Sequence, residues 1–505
     1  MPADLTVVVL AAGGGTRMKS KKPKILHEVA GRSMVGHVLV AVAELDPAQV
    51  VAVVGHQSDV VGPHLLERAP ELLLAHQAEQ LGTGHAVRVG VEAAEAAGSG
   101  AGVAGTVLVA YGDTPLLTGA TLREFAHQHA ASDCAVSLLS GLVDDPFGYG
   151  RVVRDAEGDV LAVVEEKDAT AAQREIGEIN SGIMAFDASF LRDALPRLSN
   201  DNAKGEYYLT DLVGLAHDAG LSVGAHVVDD VAQTEGANDR VQLAAVGRVM
   251  NQRIVEAWMR EGVTVMDPAT TWLDADVVLA SDVTLLPGTQ LLGATVVAED
   301  AVVGPDTTLK DCEVGAGARV VRTHGELAVV GAGATVGPWS YLRPGTELGA
   351  DGKIGAFVET KNARIGEGAK VPHLSYVGDA EVGEGTNIGA GTIVANYDGV
   401  AKHRTVVGRH ARTGSNNTFV APVRIGDGAS TGGGTVVRED VPPGALAVSA
   451  GPQRTIEGWA ARRRAGTPQA QAAEEASSDA STHPSTQPST DDPGVAAPHP
   501  DGGDS

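Results

Sequence analysis

The stretch Val277-Val-Leu279-Ala-Ser-Asp-Val283-Thr-Leu285-Leu-Pro-Gly-Thr289-Gln-Leu291-Leu-Gly-Ala-Thr295-Val-Val297-Ala-Glu-Asp-Ala301-Val-Val303-Gly-Pro-Asp-Thr307-Thr-Leu309 repeats every six residues. An aliphatic residue stands at each sixth place, and two positions before it sits a small or β-branched one. The beat returns at Val330, Val336, Leu342, Leu348 and Ile354, then at Val382, Ile388 and Val394, then at Phe419, Ile425, Thr431 and Val437. This period matches neither the helix nor the simple alternation of a strand. Six-residue units with Gly beside the apolar position predict a parallel β-helix, one short strand per face of a triangular prism. The inward residue of each unit stacks on its equivalent one coil away, at roughly 4.8 Å. With about eighteen residues per coil, the span holds about nine coils. A β-sandwich with frequent turns would not keep so regular a spacing.

The chain has 505 residues, enough for two or three domains, and 64 glycines, which suit a turn-dense repeat. Its formal charge is -26, of which the tail after Arg464 supplies -7 through seven acids and no base. A broad nucleic-acid-binding face is therefore excluded, and anionic substrates need local basic clusters. Two distant cysteines, Cys134 and Cys312, fit a reducing cytoplasm. The first apolar run, Leu5 to Ala12, is too short for a signal peptide and follows no basic segment. No run reaches the ~20 residues of a membrane span.

That first run is instead a buried parallel strand leading into Gly13-Gly14-Gly15-Thr16-Arg17-Met18. Glycines let backbone N–H groups approach a phosphate or a base, and five bases follow: Arg17, Lys19, Lys21, Lys22 and Lys24. The loop is neither a dinucleotide fingerprint nor a P-loop, lacking a third Gly at 18 and a Gly-Lys-Ser/Thr. Further strands are expected at Val50 to Val54 and Thr106 to Ala110, the latter ending in Tyr111-Gly112-Asp113. A carboxylate at the C-terminal end of a parallel strand stands where such sheets bind ligands, and suits Mg²⁺. The same Asp can equally cap a helix or close a turn.

Taken together, Leu10-Ala-Ala-Gly-Gly-Gly-Thr-Arg-Met18 with Ser20 and Pro23-Lys24 resembles the signature of sugar-1-phosphate nucleotidyltransferases. Gln77-Ala-Glu-Gln-Leu-Gly-Thr-Gly-His85 narrows the resemblance to the bacterial two-site enzymes making UDP-N-acetylglucosamine. Gly148-Tyr-Gly-Arg151, Glu165-Glu-Lys-Asp168, Glu178-Ile-Asn180-Ser-Gly182, Gly205-Glu-Tyr-Tyr-Leu-Thr-Asp211 and Gly236-Ala-Asn238-Asp-Arg240 follow in that family's order, and the likeness spans residues 5 to 460. It implies an α/β fold: a Rossmann-like nucleotidyltransferase domain at 1–238, a linker helix at 239–263 and a left-handed parallel β-helix at 264–455. A C-terminal arm at 456–464 and a disordered acidic tail at 465–505 complete the expected organisation.

The resemblance implies a uridine pocket formed by Leu10, Ala11, Ala12, Gly13, Gln77, Gly82 and Thr83, with Tyr111 and Gly112 beside it. Arg17 and Lys24 would neutralise the triphosphate. Gly150, Glu165 and Asn180 would hold the N-acetyl sugar, and Asp113 with Asn238 would ligate Mg²⁺. Asn238 could also cap the following helix. That helix, Asp239 to Glu261, carries a stripe of Val241, Ala245, Val249, Gln252, Val255 and Met259, with Gly262 at its stop.

In the prism the six-beat breaks between Ile365 and Val382, where Pro372-His373-Leu-Ser-Tyr376 lies. A lone histidine there reads as structural. Its context, Arg343-Pro-Gly345, Glu359-Thr-Lys361, Asn387-Ile-Gly-Ala-Gly-Thr392 and Asn396-Tyr-Asp-Gly399, resembles the family's acetyltransferase site. The resemblance makes His373 the base for the amine of glucosamine-1-phosphate. Arg343 and Lys361 would bind its phosphate, and Tyr376 and Asn387 would place the sugar. Ala390, Asn396, Tyr397, Ser415 and Gly433 fall on the acetyl-CoA side, with the N–H near Ala390 a candidate oxyanion donor. Gly433 stands where Ala is more usual, and Ala450 where many relatives carry an Arg on the CoA phosphates. Arg462, Arg463 and Arg464, behind Trp459, are the expected substitutes.

The expected protein is thus a bifunctional transferase. It acetylates glucosamine-1-phosphate from acetyl-CoA, then transfers uridylyl from UTP to N-acetylglucosamine-1-phosphate, releasing pyrophosphate. The resemblance further implies a cytoplasmic homotrimer supplying precursor for peptidoglycan and lipopolysaccharide-type envelope polymers. Two other readings remain open here: a nucleotidyltransferase with a regulatory prism, and a non-catalytic scaffold.

Overall fold

The computed structural model describes residues 4–97, 103–449, 451 and 453–482. The chain forms two compact units, Met1–Ser449 and Ala450–Ser505.

The first unit begins with β1 (Leu5–Ala11), whose seven residues are all buried. It lies centrally in a mixed sheet with β2 (Gln49–Val54), β3 (Leu73–His76), β4 (Thr106–Tyr111), β5 (Cys134–Leu142), β6 (Gly150–Arg154), β7 (Val160–Val164), β8 (Glu178–Asp187) and β9 (Ser222–Val227). The order along the sheet is β9-β5-β8-β4-β1-β2-β3, with β6 pairing β8 and β7 pairing β6. The strands β3, β2, β1 and β4 run parallel, whereas β8 is antiparallel to β4 and β5. Both faces of β1 are covered, which is why its apolar run is continuous rather than alternating. The parallel strands end together near Ala11, Val54, His76 and Tyr111, and their loops open into one crevice, as open α/β sheets require.

The linker helix α3 follows α1 (Thr83–Ala97) and α2 (Asp211–Asp218) and runs from Arg240 to Arg260. Its buried residues are Val246, Asn251 and Val255. The expected stripe holds only in part: Val255 is buried, but Val241 is 79% and Met259 42% exposed. The helix serves two separate cores, so no single stripe faces inward along its length. Val246 packs with Met18, Val29 and Met34, whereas Val255 joins the prism core. Asn251 is buried because it replaces two missing backbone partners. Its amide donates to Thr271 O at 2.7 Å and accepts from Leu273 N at 2.9 Å.

The prism is a left-handed β-helix of short parallel strands. Leu279, Leu285, Leu291, Val297, Val303 and Leu309 are each at most 4% exposed, and so are their later equivalents except Thr431 at 6%. One face shows the coil length directly: Thr335 pairs with Lys353, Lys353 with Lys370, and Lys370 with Asn387. Asn387 then pairs with Arg412, so one coil is longer than its neighbours. The extra residues form an excursion around Tyr397–Lys402. At one corner Gly349, Gly366 and Gly383 lie so close to the next coil that a Cβ would stand 2.6–2.7 Å from its backbone nitrogen. The three glycines are therefore a steric condition of the stacking.

The hairpin Glu28–Val29/Arg32–Ser33 rests on the first coil. Ala275 N donates to Ala30 O at 2.9 Å, and Arg32 pairs with Asp276 at 2.5 Å. A Cβ on Gly31, whose φ is +75°, would meet the Asp274 carboxylate at 2.5 Å.

In the second unit, a short helix spans Trp459–Arg463 and a longer one Pro468–Thr482. The stretch expected to be an unfolded tail is therefore helical as far as Thr482. Alanine-rich sequence has the intrinsic propensity that a count of buriable apolar residues overlooks. Arg464 lies over the Trp459 ring at 5.0 Å and donates to Gln469 at 2.7 Å. Ala450 and the tail from residue 483 lie outside the described residues.

Candidate active sites

A cavity of about 400 Å³ opens at the C-terminal ends of β1 and β4. Of the expected residues, Leu10, Ala12, Gly13, Lys24, Gln77, Gly82, Thr83, Tyr111, Asp113 and Asn238 line it. Ala11 points into the opposite layer, as strand alternation dictates, and Gly112 contributes an N–H that closes onto Leu10 O at 3.0 Å. Arg17 stands exposed on the short 3-10 turn Thr16–Met18 rather than in the cavity wall. Lys22 is drawn aside by Glu28 at 2.9 Å.

Lys24 alone of the five bases enters the cavity wall. Its ammonium contacts Asp113 Oδ2 and donates to Asn238 Oδ1 at 3.0 Å. Two hard oxygen ligands from distant parts of the chain thus converge on one cation. Asn238 does not cap α3; Asp239 does, accepting from Val241 N and Gln242 N at 2.9 Å. Among the described residues no group of three or more His, Cys, Asp or Glu could hold a metal. A one-carboxylate, one-amide pair suits Mg²⁺, which retains waters and takes its other ligands from phosphates.

Gln77 is buried, and its amide nitrogen is held by Gly82 O at 3.3 Å and His85 Nδ1 at 3.1 Å. That leaves its carbonyl as an acceptor for a base edge. Gln80, which the sequence reading missed, donates to Ala12 O at 2.7 Å and ties the glycine loop to the Gln77 loop. Glu206 and Ile25 also line the cavity unforeseen.

Gly150, Glu165 and Asn180 do not line this cavity but meet one another beside it. Gly150 pairs with Asn180 across β6 and β8, and a Cβ on Gly150 would lie 3.5 Å from Glu165 Oε1. Burial raises the Glu165 carboxyl, with Lys204 pulling the other way. Asp211 is pushed up to about 6 by burial and then by Glu165 and Asp168. The buried Tyr208 hydroxyl has no partner among the described residues.

On the prism, His373 ends the strand Lys370–His373 and its ring is exposed, so it is not a satisfied core histidine. The backbone O of His373 accepts from Gly391 N at 3.2 Å, Ala390 O accepts from Asn416 N at 2.7 Å, and Ser415 O accepts from Gly434 N at 2.8 Å. His373, Ala390, Ser415 and Gly433 therefore follow one another coil by coil along one corner. The N–H of Gly389 and of Gly391 are both engaged, whereas that of Ala390 has no partner among the described residues. Asn387 lies a coil beyond Lys370 on the same face as His373.

The adjoining face carries Arg343, Lys361 and Tyr376. Arg343 pairs with Glu359 at 2.9 Å, and Glu359 is in register with Tyr376. Asn396 is buried and donates to Asp379 at 2.5 Å and to the Tyr376 hydroxyl at 3.4 Å. Tyr397 is exposed on the excursion, its hydroxyl donating to Gly399 O at 2.7 Å. The excursion also brings Lys402 against Lys361, and the neighbouring ammonium pushes Lys361 down. Lys402 carried no signal in the sequence, because only the folded loop sets it beside Lys361. Asp398 orders that loop by accepting from Val400 N, Ala401 N and His403, which hold its carboxyl well below the usual range.

A model of the MobA-like NTP transferase domain matches residues 7–176. The chain is 57% identical over 470 residues to the bifunctional protein GlmU of Paenarthrobacter aurescens (strain TC1), covering 93% of this chain and 94% of that protein. It is 59% identical over 470 residues to GlmU of Thermobifida fusca (strain YX), with 93% and 97% covered. To GlmU of Mycobacterium bovis (strain BCG / Pasteur 1173P2) it is 55% identical over 479 residues, with 94% and 96% covered. The chain belongs to the GlmU family. As a GlmU-family protein it is a bifunctional transferase of UDP-N-acetylglucosamine synthesis, with an acetyltransferase and a uridylyltransferase activity. No helix among the described residues is long and apolar enough to cross a membrane.

Proposed function

We propose that the two activities reside in the two sites described, uridylyl transfer at the Lys24–Asp113–Asn238 cavity and acetyl transfer at His373. The convergence of Asp113 and Asn238 on the Lys24 ammonium carries the first assignment. Gln77 and the glycine loop from Leu10 to Gly13 would read uracil, and Gly150, Glu165 and Asn180 the N-acetyl sugar. Asp113 and Asn238 would hold Mg²⁺, which supplies charge neutralisation for the triphosphate. The sugar phosphate attacks the α-phosphorus of UTP in line, a P–O bond forms as the bond to pyrophosphate breaks, and Lys24 and Arg17 stabilise the departing charge. No general base is required, since the attacking phosphate is already anionic.

At the prism the amine of glucosamine-1-phosphate attacks the thioester carbonyl of acetyl-CoA. His373 removes a proton as the C–N bond forms, and the C–S bond breaks to release the CoA thiol. The Ala390 N–H is the candidate donor to the oxyanion. Arg343 and Lys361 hold the sugar phosphate, with Tyr376, Asn387, Asn396, Tyr397, Ser415 and Gly433 shaping the remainder. Much of this site lies open on a slim prism, which supports a homotrimer in which neighbouring prisms complete it, and the two distant cysteines fit a cytoplasmic setting.

The experiment is a paired assay on the full chain: thiol release from acetyl-CoA dependent on glucosamine-1-phosphate, and pyrophosphate release from UTP. His373→Ala should abolish the first and keep the second. Retention of thiol release would reject His373 as the base, and its absence in the unmodified protein would leave the prism regulatory.

A further inference from the structure

Gly150 opens the first arm of the β6–β7 hairpin and Glu165 follows the second, and their chain neighbours, the buried Arg151 and the part-exposed Glu166, form a separate ion pair. The Arg151 side chain is 2% exposed, and Arg151 heads the fully buried residues by size. It donates to Glu166 Oε2 at 2.7 Å, to Arg174 O at 3.4 Å and to Tyr149 O. The Glu166 carboxylate also accepts from Gly148 N at 3.3 Å and faces Arg174 Nε at 3.3 Å. One guanidinium and one carboxylate thus tie together the Gly148–Gly150 approach, the Glu165–Asp168 turn and the helix Ala171–Arg174.

This arrangement is a poor source of stability. Buried ion pairs are often matched or bettered by apolar residues of similar volume. Here the Nε of Arg151 is also buried without a partner among the described residues, which adds a desolvation cost. What the pair does provide is geometry. Because Arg151 follows Gly150 on its strand and Glu166 follows Glu165 in the turn after β7, fixing Arg151 fixes the Gly150 backbone and fixing Glu166 fixes the turn from which Glu165 projects. A Cβ on Gly150 would lie only 3.5 Å from Glu165 Oε1, so a small slip of one arm changes the gap between them.

We propose that Arg151 and Glu166 are positioning residues for sugar recognition: the ion pair of the buried Arg151 with Glu166 sets the spacing of the Gly150 backbone and the Glu165 carboxylate that selects an N-acetylated sugar phosphate. The proposal rests on the reading that Gly150, Glu165 and Asn180 hold the sugar. It touches neither the uracil contacts nor the cation site.

The test uses the full chain, whose acetyl transfer serves as an internal check of folding. Arg151→Lys and Glu166→Gln should each raise KM for N-acetylglucosamine-1-phosphate about 10-fold, since small misplacements are costly. KM for UTP and thiol release should stay unchanged, and the preference over glucose-1-phosphate should narrow. The apolar pair Arg151→Met with Glu166→Leu should keep the wild-type thermal midpoint yet show the same KM defect, whereas a merely structural role would lower the midpoint and move both KM values. Glu165→Ala and Asn180→Ala are run alongside. If these two raise the sugar KM while the Arg151 and Glu166 variants do not, or shift UTP equally, the proposal is overturned and the subsite stands. If neither Glu165→Ala nor Asn180→Ala changes it, the reading of the subsite falls first.

Discussion

Lys24 donates to Asn238 Oδ1 at 3.0 Å across 214 positions of sequence. Asn238 precedes the Asp239 cap of the linker helix, and Lys24 precedes the hairpin that rests on the first prism coil. The pair therefore joins two segments of the nucleotidyltransferase part of the chain that are far apart in sequence.

Replacing Lys24 by Ala removes the one cation of the glycine-loop cluster that enters the cavity wall. Pyrophosphate release should fall by about 10²- to 10³-fold, the usual loss for one well-placed electrostatic group, while thiol release is unchanged. Asn238→Ala should instead raise the Mg²⁺ concentration giving half-maximal uridylyl transfer. A magnesium titration of the variant that overlays the wild-type curve would remove Asn238 from the ligand set.

Lys402 abuts Lys361, and its ammonium disfavours the charge on Lys361 until an anion joins them. Lys402→Ala should therefore raise KM for glucosamine-1-phosphate about 10-fold by removing a charge-assisted contact. Steady-state kinetics at fixed acetyl-CoA measure this, and uridylyl transfer is the unaffected reference.

Asp211 binds its proton more tightly in the folded chain, its value rising from 3.8 to about 6 through burial, then Glu165 and Asp168. Its contribution to stability is complete below 3.8 and is lost as pH rises through about 6. Asp211→Asn should thus raise the thermal midpoint at pH 8, by about 2 °C, and by clearly less at pH 5, inside the window between the two values. Equal midpoint shifts at both pH values would rule out titration of Asp211 as the cause.

Arg462, Arg463 and Arg464 are the proposed substitutes for the phosphate contact lacking at Ala450. Changing all three to Ala should raise KM for acetyl-CoA and leave KM for glucosamine-1-phosphate alone. An unchanged acetyl-CoA KM would reject the assignment.

The prism was legible because its period is local: each inward residue from Leu279 to Val437 is chosen by its own six-residue unit. The strand β1 and its glycine loop were legible for a similar reason, a continuous apolar run meeting a turn that admits a ligand. The linker stripe was misread because α3 serves two cores, and which face a helix buries depends on its neighbours. The C-terminal helix was missed because Ala propensity acts without a core.

Residue type and spacing alone set the two-domain plan, the cationic glycine loop and the histidine at the broken beat. Only the tertiary structure decided that one base of five faces Asp113, that Lys402 sits against Lys361, and that Arg151 is buried on Glu166. Periodicity is encoded between near neighbours in the chain, whereas the meeting of charges from distant segments exists only after the backbone has closed around them.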